Sequence, residues 1–150
     1  EMELEDWRRV MDVNISGVFI VSRAVAREML KRGTAASIVS ISSVGGRIGG
    51  WGEAHYSASK FAVIGFTQSL AKELADNEIY VNTICPGSVD TPILDTLALG
   101  LKVTKQDLVD QQLIKRFLTG EDMAYTIAFL HASRAITGQA VNTDGGLLFN

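Results

Sequence analysis

Three short β-rich runs, Ser37 to Ser42, Ile79 to Ile84 and Gly138 to Thr143, are separated by stretches long enough to carry a helix back across a sheet. Antiparallel neighbours can be joined by a tight turn, whereas parallel neighbours need a long crossover. The intervals show helical spacing. Leu4 to Arg32 carries an apolar stripe of Trp7, Met11, Val18, Val21, Val25 and Met29. Arg27, Lys31 and Arg32 crowd its end, and Gly33 is a plausible stop. Glu53 to Asn77 sets Val63, Phe66, Leu70 and Leu74 on one side, with Ala58, Ala62 and Gly65 on another. Thr104 to Phe117 and Glu121 to Ala132 read as two further helices. The order α-β-α-β-α-α-β predicts an α/β fold with parallel pairing and right-handed crossovers. Glycines fill a loop from Gly45 to Gly52, Pro86-Gly87 stops the second strand, and Asp144-Gly145-Gly146 turns the chain.

Composition excludes several classes. At 150 residues the chain can bury one core. Its net charge of −3, with no basic patch, argues against nucleic acid as a partner. Cys85 is the one cysteine, so no intramolecular disulfide forms and a reducing, cytoplasmic setting fits. The apolar runs are too short to cross a bilayer, so no membrane partner is expected.

Ligands of parallel α/β sheets bind at the carboxyl edge of the strands. Ser42-Ser43 leave the first strand there, Cys85-Pro86-Gly87 leave the second, and Tyr56 and Lys60 open the helix that starts from that edge. One helical turn puts Tyr56 and Lys60 side by side. A phenol ionises near pH ~10, and both a neighbouring cation and a helix N-terminus favour its phenolate. Tyr56 is thus expected to serve as an acid/base near neutral pH, with the Ser43 hydroxyl holding a substrate oxygen. Asn14 falls on the first helix's apolar stripe, and Asn14-Ile15-Ser16-Gly17 is that helix's weakest stretch. A break there would free carbonyls to hold a water; alternatively Asn14 satisfies a neighbouring backbone group.

Each piece has a plainer reading. Ser43 could be a turn hydroxyl, Pro86-Gly87 turn punctuation, and Thr91 a helix N-cap. A serine hydrolase would need a G-x-S-x-G frame that Ser42-Ser43 lack, with His55 the only nearby imidazole. Gly46, Gly50 and Gly52 spell G-x-x-x-G-x-G, but the next strand ends in Cys85 without an acidic ribose partner. Those glycines read as an active-site wall or a tight turn series.

In order and over nearly the whole length, the segments Asp12 to Gly17, Ile38 to Ser43, Tyr56 to Lys60, Val81 to Gly87, Ile136 to Gln139 and Asp144 to Gly146 resemble the short-chain dehydrogenase/reductase family. The resemblance implies the C-terminal part of a doubly wound Rossmann-type sheet, with about three parallel strands and flanking helices. Residues 1–150 would form a single, incomplete Rossmann-type domain carrying the catalytic and lid segments, its first βαβαβ half absent. Tyr56 would be the general acid/base and Ser43 would orient the substrate oxygen. Lys60 would lower the tyrosine pKa and bind the nicotinamide ribose, and Asn14 would anchor a relay water. Pro86, Gly87, Val89 and Thr91 would join Tyr56 and Lys60 in contacting the cofactor, NAD or NADP, whose selector residue is not in this chain.

The resemblance further implies hydride transfer, without a metal, between the nicotinamide and a small-molecule secondary alcohol or ketone. Ser88 to Gln112 would be the substrate lid, made apolar by Ile93, Leu94, Leu97, Leu99 and Leu101, with Trp51 and His55 forming a wall. Homodimers or homotetramers would form through helices 4–32 and 53–77. The first strand's outer edge would be left open, an association hazard. The alternative is a non-catalytic fragment or pseudoenzyme lacking its own cofactor-binding half.

Overall fold

In a computed structural model, which describes residues 2–149, three parallel strands form one sheet. They are β1 (Ala36–Ile41), β2 (Ile79–Pro86) and β3 (Ala140–Thr143), in the order β1-β2-β3. Ala36 pairs with Ile79 through to Ile41 with Ile84, and Thr83 with Ala140 through to Pro86 with Thr143. β2 is the central strand, and Ile79, Val81, Ile84 and Cys85 along it are buried. Side chains alternate across a strand. Ile79 and Val81 therefore pack with Ala26, Ala71 and Leu74 on one face, while Ile84 packs with Leu118, Met123 and Leu130 on the other.

The helices are α1 (Leu4–Met11), α2 (Gly17–Arg32), α3 (Ala54–Leu74), α4 (Pro92–Leu101), α5 (Lys105–Val109) and α6 (Gly120–Ala132). The first long helix is continuous but carries a π-helical segment at Asp12–Ser16, which takes in Asn14 to Ser16 of the stretch read as weakest and leaves Gly17 to open α2. Gly33 ends α2 in the left-handed region, φ 61°, with its N–H on the Met29 carbonyl. A clasp ties β3's entry to β2. The buried Asn82 amide donates to the Ile136 carbonyl at 2.8 Å and accepts from the Gln139 N–H at 3.0 Å. This gives the Ile136 to Gln139 segment a structural purpose.

Three details differ from the sequence reading. Thr104 to Phe117 is helical only over Lys105–Val109. Beyond it, Gln112 draws the Ile114 and Arg116 carbonyls inward and Leu118 pairs with Ser88, so tertiary bonds replace the helical ladder. Pro92–Leu101 is a helix in its own right, opened by Pro92. The stripe on the first long helix is not a buried face: in α2 the buried residues are Ser22 and Ala26, while Val21 and Val25 are exposed. That stripe borders a groove of about 400 Å³ between α2 and the free side of β1.

On α3 the buried apolar residues are Val63, Ile64, Ala71 and Leu74, of which Ala71 and Leu74 pack with Ile79 and Val81 of the sheet. Phe66 lies instead against Phe19 of α2, ring centroids 6.1 Å apart in an edge-to-face pair. No helix of the described residues is long and apolar enough to cross a membrane.

Candidate active site

β1 and β2 run parallel, so both release the chain at the same edge. From β1 the ladder runs on to Ser42, whose N–H bonds the Ile84 carbonyl at 2.8 Å. Ser42 is buried, and its hydroxyl donates to the Lys60 carbonyl at 2.8 Å, pinning α3 to the strand end. Ser43 then caps a short 3₁₀ turn, Val44–Gly46, by accepting from the Gly45 N–H at 3.1 Å.

Gly46 explains the glycine run. A Cβ there would stand 2.4 Å from Ser42 Oγ and 2.8 Å from the Lys60 carbonyl carbon and oxygen, so only glycine lets the loop lie against α3. Of the three motif glycines only Gly52 takes positive φ, 76°. A Cβ on Gly52 would meet nothing within 4 Å, whereas one on Gly50 would run into the Glu53 side chain, so the loop is close-packed at Gly46 and Gly50. A Cβ on Gly45 would likewise meet the Tyr56 ring at 3.1 Å.

Tyr56 sits in the first turn of α3, and its ring and the Ser43 hydroxyl both border Gly45. Lys60, one turn on, donates to the Ile41 carbonyl at 3.2 Å and stands over the Tyr56 ring, 5.6 Å from its centroid. Here the structure corrects an expectation. The Tyr56 phenol is pushed up from its ordinary value, not down. Burial is the largest cause, and the nearby Glu53 carboxylate adds to it, while the Ser43 hydrogen bond pulls the other way. Lys60 is itself pushed down by burial. Desolvation disfavours both charged forms and outweighs the attraction expected between them. A phenol raised in this way keeps its proton at neutral pH.

Asn14 lies in the π-helical segment, half-buried, and reaches α3: its Nδ2 donates to Ser59 Oγ at 3.0 Å. Ser59 in turn donates to the Tyr56 carbonyl at 2.7 Å. Asn14 therefore meets a side chain on α3, not a neighbouring backbone group. Ser59 is fully buried and had no role in the sequence reading. Its only signal was a place inside the Tyr56 to Lys60 segment.

Pro86, Gly87, Val89 and Thr91 form the wall at the end of β2. The Gly87 N–H bonds the Thr143 carbonyl at 3.2 Å, and a Cβ on Gly87 would strike the Asp144 backbone at 2.8 Å. Thr91 holds the N-cap position of α4, yet its hydroxyl donates back to the Val89 carbonyl at 3.3 Å and does not cap the helix. Cys85 is buried below, its thiol pushed up by burial. The apolar residues that follow Thr91 divide. Leu94 packs with Ala98 and Leu108, whereas Ile93 and Leu99 are exposed. Trp51 is exposed, and His55 Nδ1 is buried without a partner among the described residues.

The donor set fits a nicotinamide nucleotide. An ammonium has three N–H groups, and among the described residues Lys60 directs one to Ile41, leaving two for ribose hydroxyls. Among the described residues no cluster of His, Cys, Asp and Glu could hold a metal ion.

A family model described as enoyl-(acyl carrier protein) reductase matches residues 1–148. A 3-oxoacyl-(acyl-carrier-protein) reductase of Synechocystis sp. is 40% identical, aligned over 98% of this chain and 58% of its own length. The reductase FabG of Thermotoga maritima is also 40% identical, over 98% of this chain and 59% of its own length. This chain thus spans about three fifths of these curated relatives. Among solved structures, sorbitol-6-phosphate 2-dehydrogenase SrlD of Erwinia amylovora superposes with a TM-score of 0.91 at 30% identity, over 100% of this chain and 63% of that one. An actinorhodin polyketide ketoreductase variant with NADPH gives 0.90 at 36% identity, over 98% of this chain and 60% of that one. Sheet order, the Tyr56 and Lys60 placement and these similarities agree: the chain belongs to the short-chain dehydrogenase/reductase family.

Proposed function

We propose that this chain carries the proton-transfer half of an NAD- or NADP-dependent oxidoreductase acting on a ketone or secondary alcohol. The observation that carries the reading is the gathering of Ser43 and Tyr56 around Gly45 at the carboxyl edge of the sheet, with Lys60 one turn along α3 and over the Tyr56 ring. The nicotinamide, when bound, supplies or receives the hydride. Ser43 holds the substrate oxygen. Tyr56 donates its proton to that oxygen as the carbonyl becomes an alcohol, and accepts one in the reverse direction. Lys60 holds the ribose hydroxyls and, once Tyr56 has given up its proton, stabilises the phenolate. Asn14, through Ser59, fixes the turn of α3 that carries Tyr56. Pro86, Gly87, Val89 and Thr91 supply the wall against the nicotinamide.

Two features favour a ketone with hydrophobic surface. Ile93 and Leu99 on the lid are exposed, and two of the relatives named above are 3-oxoacyl-(acyl-carrier-protein) reductases. Lys60→Ala in the full-length enzyme is expected to weaken both nucleotide affinity and turnover, each by about tenfold or more, since it removes a charge-assisted donor. A panel of ketones and polyols tests the substrate class. Exclusive use of very polar sugar alcohols would sink the apolar lid. Absence of any nicotinamide-dependent turnover across the panel would favour a non-catalytic chain.

Assembly belongs to the same proposal. Phe19, Ile20 and Phe61 are exposed on the outer faces of α2 and α3 around the Phe19–Phe66 contact, which suits a two-fold helix pairing into dimers or tetramers. Phe66→Arg in the full-length enzyme should leave a folded monomer by light scattering. A variant that fails to fold would instead make Phe66 core.

A further inference from the structure

Gln112 is fully buried although it lies in an irregular segment, and its carboxamide uses both ends. Oε1 accepts from the Ser88 N–H at 2.8 Å. Nε2 donates to the carbonyls of Ile114 and Arg116, both at 3.2 Å. Its backbone is held as well: the N–H bonds the Val109 carbonyl at 2.9 Å and the carbonyl accepts from Lys115 Nζ. Two glycines leave room for this amide. A Cβ on Gly87 would come within 3.0 Å of Oε1, and one on Gly145 within 3.0 Å of Nε2.

Three backbone segments meet at this one side chain. They are the loop leaving β2, the stretch that closes the lid, and the turn after β3. Their remaining contacts run in register with it. The Leu118 N–H bonds the Ser88 carbonyl at 3.0 Å, the Asp90 N–H bonds the Leu118 carbonyl at 2.9 Å, and the Ile114 N–H bonds the Gly145 carbonyl at 2.9 Å. A buried apolar side chain of the same size would fill the space but leave the Ser88 N–H and the Arg116 carbonyl unsatisfied, while the Ile114 carbonyl would keep its bond from the Arg116 N–H.

We infer that Gln112 is a positioning residue: its amide sets the backbone from Gly87 to Val89 and couples the order of that loop to the closure of the lid. The inference rests on the reading of this loop as the nicotinamide wall. A reader of amides would need both a donor and an acceptor, which distinguishes Gln112 from ordinary packing.

Amide hydrogen exchange on the full chain tests it, comparing wild type with Gln112→Met and Gln112→Glu. Methionine keeps the volume and removes all three side-chain bonds. Ser88 and residues 114–118 should then exchange at least about tenfold faster, the change expected for an unsatisfied buried amide. The β2 amides from Val81 to Ile84 should stay unchanged. Glutamate keeps the acceptor and loses the donor, so Ser88 should remain protected while 114–118 loosens. An unchanged Ser88 in Gln112→Met, or acceleration spread evenly over all three strands, overturns the clamp. Reduced nicotinamide mononucleotide, titrated against the same proteins and followed by amide shifts, supplies the second readout. Binding should weaken severalfold in Gln112→Met and recover in part in Gln112→Glu. Equal binding by wild type and Gln112→Met overturns the role toward the cofactor loop. No binding by wild type counts against the nucleotide reading, and the exchange arm still decides the clamp.

Discussion

Replacing Tyr56 by phenylalanine is expected to slow carbonyl reduction by the full-length enzyme by about 10²–10⁴-fold, the usual worth of a positioned general acid. Nucleotide affinity should stay within about twofold, because the ring that packs on Gly45 is retained and only the hydroxyl is lost. Stopped-flow reduction and a nucleotide titration on the same preparation measure the two quantities. Near-normal turnover would falsify the proton-transfer assignment.

The direction of the pKa shift fixes the companion pH profile. A phenol pushed above its ordinary value keeps its proton through neutral pH. Reduction, which needs the acid, should therefore be flat across neutral pH and fall only as Tyr56 ionises in the alkaline range. Oxidation needs the phenolate and should rise with pH over the same range. An oxidation rate that is already level at neutral pH would show that the bound state lowers the Tyr56 pKa, as the Lys60 contact first suggested.

The second large effect concerns association. β1 pairs on one side only, and the groove beside its free edge is lined by Val13, Val18, Val21, Val25, Ile38 and Val39. Ser37 Oγ in the same groove is buried without a partner among the described residues. Burying a valine-sized side chain is worth about 1.5–3 kcal/mol. Several of them approach the cost of association, about 4–15 kcal/mol, and strand-edge hydrogen bonds add to the gain. The chain by itself should therefore self-associate with rising concentration. A polypeptide of the relatives' full length, with further chain to cover the edge, should not do so through this groove. Val21→Glu should raise the monomer fraction of the chain alone, because Val21 lies on the groove and is already exposed. A monodisperse monomer of the unmodified chain at high concentration, by light scattering, would remove the argument.

Periodicity alone was enough for the parallel α/β order. Alternating short β-rich runs and long helical spacings leave few topologies, and crossover handedness leaves fewer. The positions of Ser43, Tyr56, Lys60 and Pro86-Gly87 at one edge followed from that order, since parallel strands release the chain on the same side. The weak run at Asn14 was also legible, because Asn, Ser and Gly are poor helix interior residues, and a π-helical segment lies there.

Other features depended on groups distant in sequence. Nothing local to Thr104–Phe117 says that helix stops at Val109; the Ser88 N–H and the Gly145 carbonyl, brought in by β2 and β3, redirect those bonds through Gln112 and Ile114. Ser59 acquires its partner only when the first long helix lies across α3. The protonation preference of Tyr56 was misjudged for the same reason. Spacing along a helix reports which charge stands next to a phenol. How much water both have lost is set by the Gly45 wall, the strand ends and Glu53, and that loss decides which form is favoured.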